Sequence, residues 1–412
     1  MTDPRLARHL GAVYFFYLAA VGLAVTWWPM HFEALGLTGA QIGLLFSVRT
    51  AINIVSQPSV TRLADHLGRP LLLLRIACIW GAIVPAGLLV FRSFWGLGLT
   101  MWISGVLTAA IVPLLDSTIV VRLGSGNFGR VRLWGSIGYG VCVAAFGWLM
   151  RDVDLAGTGR NAVIGWLALM SVGALLSLGL ERRNPPAPRV VGAAPPPRGW
   201  VRAPLLVFLG INALHWYSVT AFNVYFALHV NARGHSSAIA GLAVGVGIVA
   251  EVLALALARR SLRADRAQWW FPLVFAGGVL RWITIALAHS AAVLSLVQLV
   301  NFLSYGIWVV VMMHMIDRFV PTERRTAAQG LMGGLTLGVG GMLGSSVSGV
   351  LLDAGGGQLV FLTAAAVEGA ALLLFVAAWP WWRERAAHQM GPRSDTGDSA
   401  DTRDPNPEGA PG

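Results

Sequence analysis

Apolar residues run through this chain in long blocks, each closed by a short polar break. Crossing hydrocarbon as an α-helix takes about 20 apolar residues. By that rule the pattern predicts twelve membrane helices, at about 10–32, 41–63, 71–91, 95–121, 132–150, 161–181, 204–229, 237–258, 269–288, 291–316, 327–352 and 357–381. Helices are required because hydrocarbon offers loose backbone groups no partner. The first block ends in "WWPMHF". It is too long for a signal-peptide core and lacks a small-residue cleavage site, so it reads as the first retained span.

The longest internal break is "RRNPPAPRVVGAAPPPRGWVR", whose proline and arginine content reads as a semi-rigid linker. It divides the chain into a six-helix bundle over 1–181, a linker over 182–203 and a second six-helix bundle over 204–382, followed by a polar tail, 383–412, that reads as disordered. With the amino terminus placed inside, 23 arginines fall on inside segments and only Arg92, Arg151, Arg160 and Arg233 on outside loops. Basic residues collect on the cytoplasmic side, so both termini are expected in the cytoplasm of a bacterial inner membrane. The halves also echo each other. "RVRLWGSIGYG" opens helix five and "RTAAQGLMGGLTLG" opens helix eleven, with Arg130 and Arg325 each five residues before a glycine, Gly135 and Gly330. Parallel repeats of this kind are a transporter trait, and the glycines of helix eleven allow close helix packing.

Composition narrows the function. Charged residues are 12% of the chain, about half the share of a soluble domain. All 30 basic residues are arginine. They lie between apolar runs, so they orient the chain in a bilayer and do not point to nucleic acid. The two cysteines, Cys78 and Cys142, sit inside apolar runs, and neither a disulfide framework nor a metal-ligand spacing is present. A phosphate-binding loop of the Walker type needs a lysine, so no cofactor is expected and the energy source is a gradient, with protons first in line. Clustered acid, base or nucleophile sets at a membrane face are lacking, which argues against an enzyme. A monomer acting on a small solute in the lipid bilayer is expected.

Twelve helices, a six-plus-six division and inside termini resemble the major facilitator superfamily. "TRLADHLGRP" resembles its loop signature after helix two, matching at Asp65, Gly68 and Arg69 and departing at Thr61 and His66. The resemblance implies a conformational gating role for the three matching residues. "FGRVRLWGSIGYGVC" is similar to the start of helix five in the lactose permease and the phenylpropionate permease group. Gln57-Pro58, Glu251 in "GVGIVAEVLALAL" and Arg281 in "AGGVLRWITIA" fall at further family positions. Residues two apart on a helix point about 200° apart, so one of Arg130 and Arg132 can reach lipid headgroups while the other faces the bundle interior. The resemblance makes Arg132 the inward one, contacting substrate and paired with Asp116 of helix four, with Tyr139 as an aromatic that stacks on the solute.

In the second half Glu251 is a mid-helix carboxyl that must pair, bind a proton or line water. Arg281 is its expected partner. Where the lactose permease has a lysine, a histidine and a coupling glutamate in helix ten, "VQLVNFLS" supplies Gln298, Asn301 and Ser304. The resemblance therefore assigns no proton site there, and Glu251 is the remaining candidate for coupling. His215 resembles a helix-seven histidine of the phenylpropionate group and joins Asn301 as a substrate-binding candidate, the alternative being a satisfied core histidine. Arg49 needs an anion or a carboxylate, and Glu368 has no evident role. The resulting expectation is a secondary transporter, by proton symport, of an aromatic or other organic acid, a sugar or a nucleoside. Efflux of a drug-like compound by the same fold is the alternative, with a membrane sensor or enzyme behind it.

Overall fold

The computed structural model describes residues 4–180, 201–261, 268–320 and 324–389. Among these, nine helical stretches are long and apolar enough to cross a membrane. The last of them is two helices, because Gly355 and Gly356 leave helical geometry and Gly356 takes φ +65°. Two more helices of similar length, Gly39–Leu67 and Ser125–Leu149, complete a set of twelve. In chain order these are α1 (Pro4–Ala34), α2 (Gly39–Leu67), α3 (Pro70–Val90), α4 (Phe94–Leu123), α5 (Ser125–Leu149), α6 (Leu155–Leu178), α7 (Ala203–Ala232), α8 (Ser237–Ser261), α9 (Phe271–Leu287), α10 (Ala291–Phe319), α11 (325–354) and α12 (357–389). The expected linker lies mostly outside the described residues, as does the tail beyond 389. Helix α12 runs on past its expected end at 381, so the first residues of the expected tail are helical.

Local chemistry sets the helix ends. Thr38 and Gln41 exchange hydrogen bonds as a capping box that starts α2. Gly68 ends α2 in the left-handed region at φ +63°, where a side chain would be strained. Ser93 and Asp154 cap α4 and α6. Inside α4 the ladder breaks at Ala109–Ala110, one turn ahead of Pro113, whose ring nitrogen has no hydrogen for the helical ladder. Asp116 follows that break.

The two halves are built alike. In the first, α1 packs along α5 and α6; in the second, α7 packs along α11 and α12. Glycines set the approach in both. Gly135 and Gly138 of α5 bring the chain against Tyr14, Phe15 and Leu18 of α1, while Gly340 and Gly344 of α11 lie against Ala213 and Tyr217 of α7.

Contacts between the halves gather at the end of the bundle remote from Pro4 and Gln389. There Gly39 and Gly43 of α2 rest on Gly349 and Ser345 of α11, and a Cβ on either glycine would strike backbone of the opposite half. The Asp353 carboxylate accepts the N–H groups of Gly39 at 2.6 Å and Ala40 at 2.8 Å. It caps the start of α2 from the other half, where the helix dipole favours negative charge. Gly147 of α5 likewise meets Ser237 and Gly241 of α8. Toward the opposite end, which carries both described termini, the halves part. A Cβ on Gly330, Gly333 or Gly334 of α11 would meet nothing within 4 Å, and Asp65 and Arg69 are exposed. The space between the halves is thus closed at the remote end and open at the terminal end.

Candidate functional site

The polar residues of this space come from both halves. In the first half, Arg132 Nη1 of α5 stands 3.7 Å from Asp116 Oδ2 of α4, with the side chains 54% and 25% exposed. Asp116 Oδ1 accepts the hydroxyl of Tyr14 from α1. The Arg132 guanidinium lies 5.6 Å from the Phe128 ring one turn earlier. An ion pair this open contributes under about 1 kcal/mol to stability, so the trio is better suited to exchanging partners than to holding the fold. Arg130 is exposed as well.

The second half holds its arginine differently. Arg281 of α9 is 2% exposed. Its Nε and Nη2 donate to Gln298 Oε1 at 3.0 and 2.7 Å, and Nη1 donates to Asn301 Oδ1 at 2.8 Å and Ser304 Oγ at 2.9 Å. The rings of Phe222 and Trp282 lie 4.4 and 4.6 Å from its guanidinium carbon. The three acceptors recur at every third position of α10, on the stretch where the α-helix gives way to 3-10 geometry (Val297–Val300) and then to π geometry (Phe302–Ile307). Such irregular turns mark functional sites in helices. Here they aim three successive polar side chains at one cation. Asn301 also donates to the Gly247 carbonyl at 3.1 Å, tying the cradle to α8.

The expected Glu251–Arg281 ion pair is not formed. Neutral oxygens of α10 satisfy the arginine instead. Glu251 is 8% exposed, and among the described residues its carboxyl makes neither an ion pair nor a hydrogen bond. Its charged neighbours are Arg132, across the gap, and Arg281. Tyr305 of α10 lies near Glu251, Arg132 and Tyr139, which brings residues of both halves together.

His215 does not reach that space. It is fully buried, with Nδ1 2.6 Å from Glu368 Oε1 and Nε2 2.8 Å from the Ser304 carbonyl. It lies behind Arg281, a buried core histidine and not the solute contact that the resemblance implied. Glu368, without a role in the sequence, is its partner. Asp65 and Arg69 flank Gly68 at the turn between α2 and α3, at the open end. Arg49 lies inside the first half near the rings of Trp28 and Trp166, at 5.7 and 6.0 Å, and its Nε has no partner. Sequence reasoning missed Tyr14, Tyr305 and the cradle role of Gln298 and Ser304. The three-residue repeat of polar side chains in α10 was the available signal.

Two similarly wound bundles around a polar space, sealed at one end, define the alternating-access transporter class. The chain matches the MFS_1 like family over residues 7–363 and belongs to it, within the major facilitator superfamily. It is 27% identical to the maltose permease of Geobacillus stearothermophilus over 369 residues, covering 86% of this chain and 89% of that one. It is 25% identical to the probable 3-phenylpropionic acid transporter of Escherichia coli (strain K12) over 308 residues, covering 71% and 78%. Among solved structures, the nucleoside transporter NupG matches with TM-score 0.77 at 17% identity, covering 91% of this chain and 99% of that one. A bacterial homologue of the human lysosomal transporter Spinster, in an inward-facing and occupied conformation, matches with TM-score 0.68 at 14% identity, covering 94% and 98%. The protein is a membrane transporter of a small solute and not an enzyme.

Proposed function

We propose that the protein is a proton-coupled symporter of a small, ring-bearing polar solute in a bacterial cytoplasmic membrane: an aromatic or other organic acid, a sugar or a nucleoside. The arginine asymmetry supports placing the open, terminal end in the cytoplasm, which makes the structure an inward-open state. Two arginines, the Asp116 carboxylate and the rings of Tyr139, Phe222 and Tyr305 suit a solute with both a flat face and hydrogen-bonding groups. The names of the maltose, phenylpropionate and nucleoside relatives agree with that chemistry.

Glu251 carries the coupling argument. A buried carboxylate without a partner is costly in a membrane, and protonation removes the cost. Arg132 and Arg281 are its charged neighbours, so closure of the halves that brings either arginine closer would favour the ionised form. Uptake into proteoliposomes under an imposed pH gradient tests this reading. Glu251→Gln is expected to abolish uphill accumulation while solute exchange persists. Accumulation by Glu251→Gln would remove Glu251 from coupling, and a wild-type protein indifferent to the gradient would end the symport reading. Thermal-shift screening of sugars, nucleosides and aromatic acids identifies the solute, because binding stabilises the folded state.

A further inference from the structure

Behind Arg281, on the side away from the solute space, His215 of α7 and Glu368 of α12 form a fully buried pair. Both imidazole nitrogens face oxygen: Nε2 the Ser304 carbonyl at 2.8 Å, Nδ1 the Glu368 carboxyl at 2.6 Å. The other carboxyl oxygen accepts the Trp282 indole N–H at 3.3 Å. A carbonyl oxygen only accepts, so Nε2 must carry a hydrogen. A neutral imidazole has one N–H. Nδ1 would then be bare, with its lone pair turned on a carboxylate oxygen at hydrogen-bond distance, and a buried polar contact of that kind is repulsive. One additional proton between the two atoms resolves it.

We infer that His215 and Glu368 together bind one proton, shared across the Nδ1–Oε1 contact, and that its presence decides how Arg281 spends its charge. Imidazolium with carboxylate and imidazole with carboxylic acid are the two ends of the same arrangement, and both leave the pair neutral. Arg281 is the charged group facing the pair from α9, and it feels Glu368 and Glu251 together. The remaining neighbours are uncharged: Trp282 and Phe275 from α9, Ser304 and Trp308 from α10. Gly278 brings α9 against Glu368, where a side chain would not fit. With the proton in place, the Arg281 charge is left for Glu251 or an anionic group of the solute. Without it, Glu368 competes for that charge from behind. Arg281 is thus one cation between two acids, and the pair is a second proton site distinct from Glu251. Only the link to solute rests on the transport reading; the proton itself does not.

The test uses purified full-length protein in nanodiscs, examined by infrared spectroscopy and by nitrogen-15 NMR of labelled histidine. Glu368→Gln suits it because the amide keeps both contacts, donating to Nδ1 and accepting from Trp282, with no acidic proton left to share. His215→Asn is the second variant, and thermal melting shows whether each is folded. At neutral pH the wild type is expected to show either an imidazolium signal lost in His215→Asn or a carboxylic C=O band lost in Glu368→Gln. Alkaline titration should release one proton fewer from Glu368→Gln than from wild type, and Glu251→Gln should keep the proton of the pair. A neutral His215 beside an ionised Glu368 across the titration overturns the inference, as does equal proton release from wild type and Glu368→Gln. If the shared proton is seen but uptake ignores a pH gradient, the symport reading fails and the proton site stands.

Discussion

Tyr14 is the residue whose removal reads most directly on the solute site. Its hydroxyl fixes one oxygen of Asp116 while Arg132 stands off the other. Tyr14→Phe removes a single atom and leaves the carboxylate free to turn. Solute affinity is expected to fall by roughly five-fold, the equivalent of about 1 kcal/mol, as measured by isothermal titration calorimetry, with little change in melting temperature. Arg281→Lys should behave in the opposite way. A lysine ammonium has no planar fork and cannot serve Gln298, Asn301 and Ser304 together, so buried acceptors lose their donor at about 1–3 kcal/mol each. A clear drop in melting temperature, without solute present, is the expected result. At this scale the sequence was partly legible. Asp116, Arg132, Tyr139, Glu251 and Arg281 stand out as polar groups in apolar runs, and such groups require explanation in a bilayer. Their partners do not stand out. A tyrosine in an aromatic-rich helix gives no sign of what it touches, and the polar repeat of helix ten marks a polar face without naming its partner, because that depends on how separate helices are set against each other. His215 shows the hazard, since a buried dyad and a solute ligand look the same along the chain.

Among the elements, most of the helices followed from apolar length, α2 and α5 being the more polar ones, and the pairing of α1 with α5 and α7 with α11 agrees with the internal echo. The interruptions did not follow. A proline announces the break in α4, but the π-helical stretches of α10 (Phe302–Ile307) and α11 (Gly333–Val339) contain no proline to announce them. The α2–α11 contact makes a prediction of its own. Gly349 lies against the backbone of Gly39, so Gly349→Leu places a branched side chain where two main chains touch. The remote end should be forced apart. Paired spin labels across α2 and α11 at that end are expected to show longer distances in Gly349→Leu than in the wild-type background, and unchanged distances would mean that the glycine contact does not hold the closure.

For the whole molecule, the balance between closed and open ends rests on few contacts. Asp353 holds the start of α2 with two hydrogen bonds, supported by the partial positive charge of the helix end. A charge at a helix terminus contributes about 0.3–1 kcal/mol when exposed and up to about 2 when partly buried. Asp353→Asn should therefore shift the two-state population toward remote-end opening by roughly two- to thirty-fold, read as a new distance population by the same spin labels. The chain itself shows no sign of this latch, since Asp353 ends an apolar helix just before a glycine-rich turn and its partners are backbone atoms more than 300 residues away.

The turn at Gly355–Gly356 joins the two events that matter most to this protein. Asp353 stands just before it and Glu368 about three turns of helix after it. So short a connection leaves α11 and α12 little freedom to slide independently. They form a rocker arm with the latch at its tip and the buried carboxylate on its shaft. Because α7 packs along both α11 and α12, releasing the tip carries His215 along with Glu368, and their 2.6 Å contact travels with the arm instead of being stretched. Asp353→Asn, a substitution at the protein surface, should accordingly change the spin-label distances at the remote end while the infrared and NMR signals of the His215–Glu368 pair stay as in wild type.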